Sequence, residues 1–221
     1  MKGIDKSRFV DKEDRIMGLN VEVTQVNRVS SDGNTANEGT KTVSVGQARI
    51  VFDKPPETVE ELKTIDRSGE NGKYVAMALL FATLKNWTPE KKDVCNSMIE
   101  VLLNSPTCGI TFNNFGKEFV RDRMMQNNKY PYLGNAYFDG ATPENGYTPS
   151  SPLAVTLEEY VYNLPPSTMY GPTLSIERVV TRFAGADTER YVDFYMDPKD
   201  GNWYIWSDTY KSVLADIKTP M

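Results

Sequence analysis

The stretch RYVDFYMDPKDGNWYIWS, residues 190–207, reads as a β-hairpin and decides the fold class. Val192, Phe194 and Met196 alternate with Tyr191, Asp193 and Tyr195, the two-residue period of a strand with distinct faces. Asp197-Pro198-Lys199-Asp200-Gly201 forms the turn, with proline fixing φ in the bend and glycine at its close. NWYIWS returns as the second strand. Two more strands are expected upstream, in LAVTLEEYVY (153–162) and TLSIERVVTRF (173–183). In the latter, apolar parity shifts between Ile176 and Val179, which predicts a bulge near Glu177. The tail TYKSVLADIKTP (209–220) is expected to make a helical turn that docks Val213, Leu214 and Ile217.

Residues 57–128 read as helical. Thr58 and Glu61 form a capping-box signature for a short helix through Ile65. GKYVAMALLFATLKNW (72–87) is apolar nearly all round, so it predicts a central, buried helix. Thr88-Pro89 then offers an N-cap and first-turn proline for a helix carrying Val94, Cys95, Met98, Ile99, Val101, Leu102 and Leu103. A fourth helix opens near Asn113 or Asn114, with Phe115, Phe119, Val120 and Met124 on one side. Ahead of these, LNVEVTQVNRVS (19–30) and QARIVFD (47–53) are strand-like, joined by the polar SSDGNTANEGTKT (30–42). Residues 1–56 are therefore an N-terminal extension: a hairpin docked on the body, with an exchanged arm or partial disorder as alternatives. Residues 57–221 are an α+β domain, with helices over 57–128, a loop over 129–152, antiparallel strands over 153–208 and a final turn over 209–221. The architecture expected is N-terminal strands or arm and about four helices packed on a C-terminal antiparallel β-meander.

Composition narrows the chemistry. The 221 residues include no histidine, which removes Ser-His and Cys-His nucleophiles, His-ligated metals and an imidazole pH switch. Cys95 and Cys108 are too few for a zinc site of their own and read as buried thiols, with a disulfide between them as the alternative. The net charge is −5, with basic and acidic residues interleaved, which disfavours nucleic acid and anionic membranes as partners. Residues 1–18 carry charges where a secretory leader needs an apolar run, so a soluble cytoplasmic protein is expected. GENGK (69–73) is not a phosphate loop: Arg67 stands where its first glycine belongs, and Tyr74 where Ser or Thr should follow. No cofactor or metal is expected.

The candidate binding residues concentrate in YFDGATPENGYTPSSP (137–152). Tyr137, Phe138 and Tyr147 supply flat apolar surfaces, while Asp139, Thr142 and Asn145 supply polar contacts, a mixture suited to a small ligand or peptide. Loop-shaping accounts for the same residue types, since Asp139-Gly140 and Asn145-Gly146 are turn formers. Tyr195 and Trp206, with Tyr191 and Tyr204, make an aromatic sheet face that is a platform if open and core if covered. Glu158 and Glu159 are adjacent on a strand and point to opposite faces, so they cannot act as a facing pair. Asp187, Glu189 and Asp193 are accounted for by turn and ion-pair roles with Arg182 or Arg190.

The same loop, followed by GADTERYVDFYMDPKDGNWYIW (185–206) and a closing DIKTP, resembles an uncharacterised bacterial domain-of-unknown-function family. Its pattern is Y-F-x-G-A-T-P-x-N-x-Y-T-P, then G-A-D-x-x-R, then G-x-W and a basic-Pro ending. The resemblance runs from about residue 58 to 220. Family members carry basic residues on the strand after G-A-D-x-x-R, where this chain has Asp193 and Tyr195. The resemblance implies a fold unit and brings no activity with it. The leading expectation is a non-enzymatic binding or protein-interaction domain, its partner another protein or a small ligand. One alternative is a small enzyme or pocket in a curved, ketosteroid-isomerase-like sheet. The other is a structural subunit assembling through its N-terminal strands.

Overall fold

The computed structural model describes residues 19–30, 41–161, 164–169 and 173–221. Six antiparallel strands form one sheet in chain order: β1 (Leu19–Ser30), β2 (Lys41–Phe52), β3 (Ala154–Glu159), β4 (Glu177–Thr181), β5 (Arg190–Met196) and β6 (Trp203–Ile205). The helices α1 (Val59–Lys63), α2 (Gly72–Lys85), α3 (Lys92–Leu103) and α4 (Asn114–Met125) all lie between β2 and β3. The chain therefore leaves the sheet after Phe52, builds its helical layer, and returns at Ala154 beside the strand it left. Pairing of β2 with β3 over Gln47–Val51 joins the N-terminal hairpin to the meander in one sheet. Most of the polar connection expected at 30–42 lies outside the described residues.

Helix α2 organises the core. Every residue from Gly72 to Leu84 is buried, as its lack of a polar face requires. It packs on α3 and against β2, β4, β5 and β6. The strand register gives Ile50, Val155, Leu157, Val179, Val192, Phe194 and Ile205 one common face toward it. Thr58 caps α1 in the expected capping box with Glu61, and Asn113 caps α4 through the Gly116 N–H.

Three local expectations are corrected. Thr88 caps a turn, accepting from the Lys91 N–H, and α3 begins only at Lys92. Phe115 sits in the first turn of α4 and is 70% exposed, while Val120 and Met124 are buried. No bulge interrupts β4: its register with β5 is continuous from Glu177 to Thr181. Ile176 precedes that ladder, and Val179 and Val180 are both buried because this part of the sheet is covered on both faces. Cys95 and Cys108 are free and buried. Among the described residues, no helix is long and apolar enough to cross a membrane.

Phe81, fully buried in α2 and stacked on Tyr137 with ring centroids 4.2 Å apart, tests this arrangement. Phe81→Ala is expected to cost about 3–5 kcal/mol in urea unfolding. A cost under about 1 kcal/mol, the range of a tolerated surface change, would show that α2 is not the core element.

Candidate functional site

The 137–152 loop is wound on itself and fastened to the body. Asn145 satisfies much of its backbone: Oδ1 accepts from the Thr142 and Thr148 N–H groups at 2.9 and 3.0 Å, and Nδ2 donates to the Gly140 and Thr148 carbonyls. Thr142 accepts from the Asn145 N–H, closing a capping box around a single 3-10 turn. Gly140 has φ +80°, and a Cβ there would lie 1.9 Å from Ser150 Oγ, so the Asp-Gly turn requires glycine. Asp139 accepts from Arg49 Nε and the Thr156 hydroxyl, both at 3.1 Å, tying the loop to β2 and β3.

The loop aromatics point inward. Tyr137, Phe138 and Tyr147 are buried. Phe138 meets Phe52 edge-on, and the Tyr137 hydroxyl donates to the Val213 carbonyl. Tyr147 stacks with Tyr132 and donates to the Lys218 carbonyl at 2.7 Å, and burial pushes its phenol up to about 12. The loop thus clamps the C-terminal segment onto the sheet. Of its marked polar residues, Asn145 is exposed and Asp139 and Thr142 are half-buried.

Tyr195 and Trp206 lie together, away from that loop. Their rings meet edge-on at 5.5 Å; Tyr195 is fully buried, and Trp206 is half-buried. Trp206 lines an open cleft of about 590 Å³ with Tyr191, Asp193, Asp208 and Lys211. Asp193 on its wall pairs through both oxygens with Arg178, at 2.6 and 2.9 Å, and the Arg178 guanidinium stands 3.7 Å from the Tyr191 ring centre. The acids noted in the sequence are matched to cations: Glu158 and Glu189 to Arg182, and Asp187 to Lys218.

Sequence reasoning missed a buried ammonium. Lys73, at the start of α2, pairs with Glu159 at 2.7 Å and with Glu177, and its side chain is 4% exposed. Both acids border a cleft of about 510 Å³ between β3, β4 and the segment after β3. Burial would lower the Lys73 ammonium, but its bonds to the two carboxylates outweigh that and raise it. Burial likewise pushes Glu159 up, and the Lys73 partner more than reverses the shift, leaving its carboxyl below the ordinary range. A lone Lys opening an otherwise apolar helix was the available signal.

The two sheet edges differ. Beyond β6, Asn202 bridges to Ser68, the Trp203 N–H donates to the Arg67 carbonyl, and Trp203 Nε1 donates to the Gly69 carbonyl. That edge is covered. At the other edge, β1 pairs with β2 along all its length, and no described residue pairs with its outer side.

These features define an α+β domain with a helix-backed sheet, a braced Asp-Gly loop and one edge that no described residue pairs with. A family model described as a domain of unknown function (DUF6935) matches residues 54–221, and the chain belongs to that family. No match is found among proteins of curated function or among solved structures.

The Lys73 cluster makes a pH prediction. Because the folded-state Glu159 carboxyl lies below its ordinary 4.5, its contribution to stability is present above that value and lost as pH falls through the lower one. Glu159→Gln should therefore flatten the acid limb of the stability–pH curve. Lys73→Met should cost about 1–3 kcal/mol at neutral pH, less than for a fully buried pair because its acids are partly exposed. Urea unfolding at several pH values reads both effects; parallel acid limbs for Glu159→Gln and the parent would refute the assignment.

Proposed function

We propose that this domain works by contact, as a binding rather than catalytic unit, and that it takes up an extended strand along the outer edge of β1. The observation that supports this most directly is the difference between the two edges: β6 is covered by residues 67–69, and among the described residues nothing pairs with the outer edge of the 12-residue β1. Exposed edges are normally blunted by short strands, proline, lysine or bulges. β1 contains no proline, glycine or lysine, and its register with β2 is unbroken.

The direction of the free hydrogen-bonding groups follows from the ladder. The Phe52 N–H donates toward β3, to the Leu153 carbonyl, and the Gly46 N–H also points that way, toward Glu159. Even-numbered residues of β2 thus face β3 and odd-numbered ones face β1, since backbone groups alternate along a strand. Through the register, Asn20, Glu22, Thr24 and Val26 bond to β2. Val21, Val23, Gln25 and Asn27 turn their N–H and C=O groups outward. Val23, 44% exposed, adds apolar surface beside them. Strand addition supplies affinity through such main-chain groups and selectivity through alternate side chains.

A synthetic peptide of alternating Thr and Val with lysines at its ends, added to the labelled full chain, tests the edge. Amide exchange should slow at Val21, Val23, Gln25 and Asn27 and stay unchanged at Asn20, Glu22, Thr24 and Val26. Gln25→Pro removes an outward donor and leaves the bonds to β2 in place, so it should abolish the effect. With the chain diluted until light scattering shows it monomeric, equal exchange at the outer amides with and without saturating peptide would overturn the proposal.

A further inference from the structure

We infer that the strand taken up by β1 is β1 of a second copy of this chain, paired antiparallel about a two-fold axis at Gln25. The inference rests on the open-edge reading above and names its partner.

Hydrogen-bonding parity and charge select this register. Two edge strands pair through outward-facing residues, which in β1 are the odd-numbered ones. Hydrogen-bonded partners must therefore both be odd, and the two-fold axis passes through a residue rather than between two. Overlap of residue 19 with 30 is excluded by this rule, although it alone would use the full strand. Two registers remain that keep 11 of the 12 residues paired, centred on Thr24 and on Gln25.

Charge then decides between them. Glu22 and Arg28 are the two charged residues of LNVEVTQVNRVS. Centring on Gln25 sets position 22 of each copy opposite position 28 of the other, twice per dimer. Centring on Thr24 sets Glu22 opposite Val26. In the Gln25 register, positions 22 and 28 form a non-hydrogen-bonded pair, so an acidic and a basic position of the sequence stand opposite each other. The same register sets Val21 against Val29 and Gln25 against itself, with Gln25 exchanging both main-chain hydrogen bonds with its symmetry mate. The interface is isologous, so it closes at two copies and consumes both open edges. Because β6 is covered in each copy, the described residues offer no further sheet edge for growth beyond the dimer.

Light scattering and disulfide trapping on the full chain test this. The wild type should run at twice the mass of one chain. Gln25→Pro should raise the dimer dissociation constant by roughly tenfold or more, since it removes both hydrogen bonds of the central pair. Under mild oxidation, Gln25→Cys should crosslink, its paired Cα atoms lying about 5.5 Å apart. Glu22→Cys should not, because the two copies of position 22 are separated by about 20 Å along the strands. Cys95 and Cys108 are buried and do not compete. Should Gln25→Pro perturb the hairpin, the cysteine pair still reads the register in a folded protein.

A monomeric wild type overturns the self-pairing. If the Thr-Val peptide still protects the outer amides of that monomer, the edge reading survives; if it does not, both fail. A dimer that traps through Glu22→Cys, or does not trap through Gln25→Cys, overturns the register.

Discussion

Helix α2 has no side that water can face. From Gly72 to Leu84 it is buried throughout, so every direction around it must be closed by another element. The sheet closes one side and α3 another, and the 137–152 loop brings Tyr137 onto Phe81. The order of elements meets this requirement: the chain lays down a hairpin, builds the helices, and returns to extend the sheet beside them. Lys73 is tolerated at the start of α2 because Glu159 and Glu177, brought together by adjacent strands, neutralise it there.

Much of the architecture was legible because it rests on local chemistry. The all-apolar α2, the Thr58–Glu61 box, the Asn113 cap and the Asp197–Gly201 turn each carry their reason within a few residues. The less legible features depend on partners distant in sequence. The parity shift before Val179 imitates a bulge, since sequence does not show that both faces of the sheet are covered there. Phe115 follows the spacing of a buried stripe yet falls in a first turn that the core does not reach. The Lys73 cluster joins positions 73, 159 and 177, which no local pattern relates.

The conspicuous loop shows why residue type alone is ambiguous about function. Asp139, Thr142 and Asn145 have the donors and acceptors a ligand would need, but a long loop without regular structure needs the same groups to satisfy its own backbone. Here Asn145 makes four such bonds, and Asp139 reaches Arg49 and Thr156 across to the sheet. The Tyr147 and Tyr137 hydroxyls each end on a carbonyl of the C-terminal segment. Spacing and composition do not distinguish a group aimed at solvent from one aimed at the chain.

The position of the open edge is tied to where the family match begins. Residue 54 lies just beyond Phe52, so the β1–β2 hairpin falls outside the matched region although β2 continues the same sheet. The matched body alone would end at β3, a six-residue strand with Glu158 and Glu159 at one end. Short length and charge are both edge-protecting features. Adding the hairpin replaces that short edge with a 12-residue strand carrying one acidic and one basic residue. It also contributes the Gly46 N–H and the Gln47 side chain, which bond to Glu159 and Glu158. The hairpin thus caps the matched body's charged edge while creating a longer one beyond it, so the edge proposed for strand addition lies in the part of the chain outside the family match.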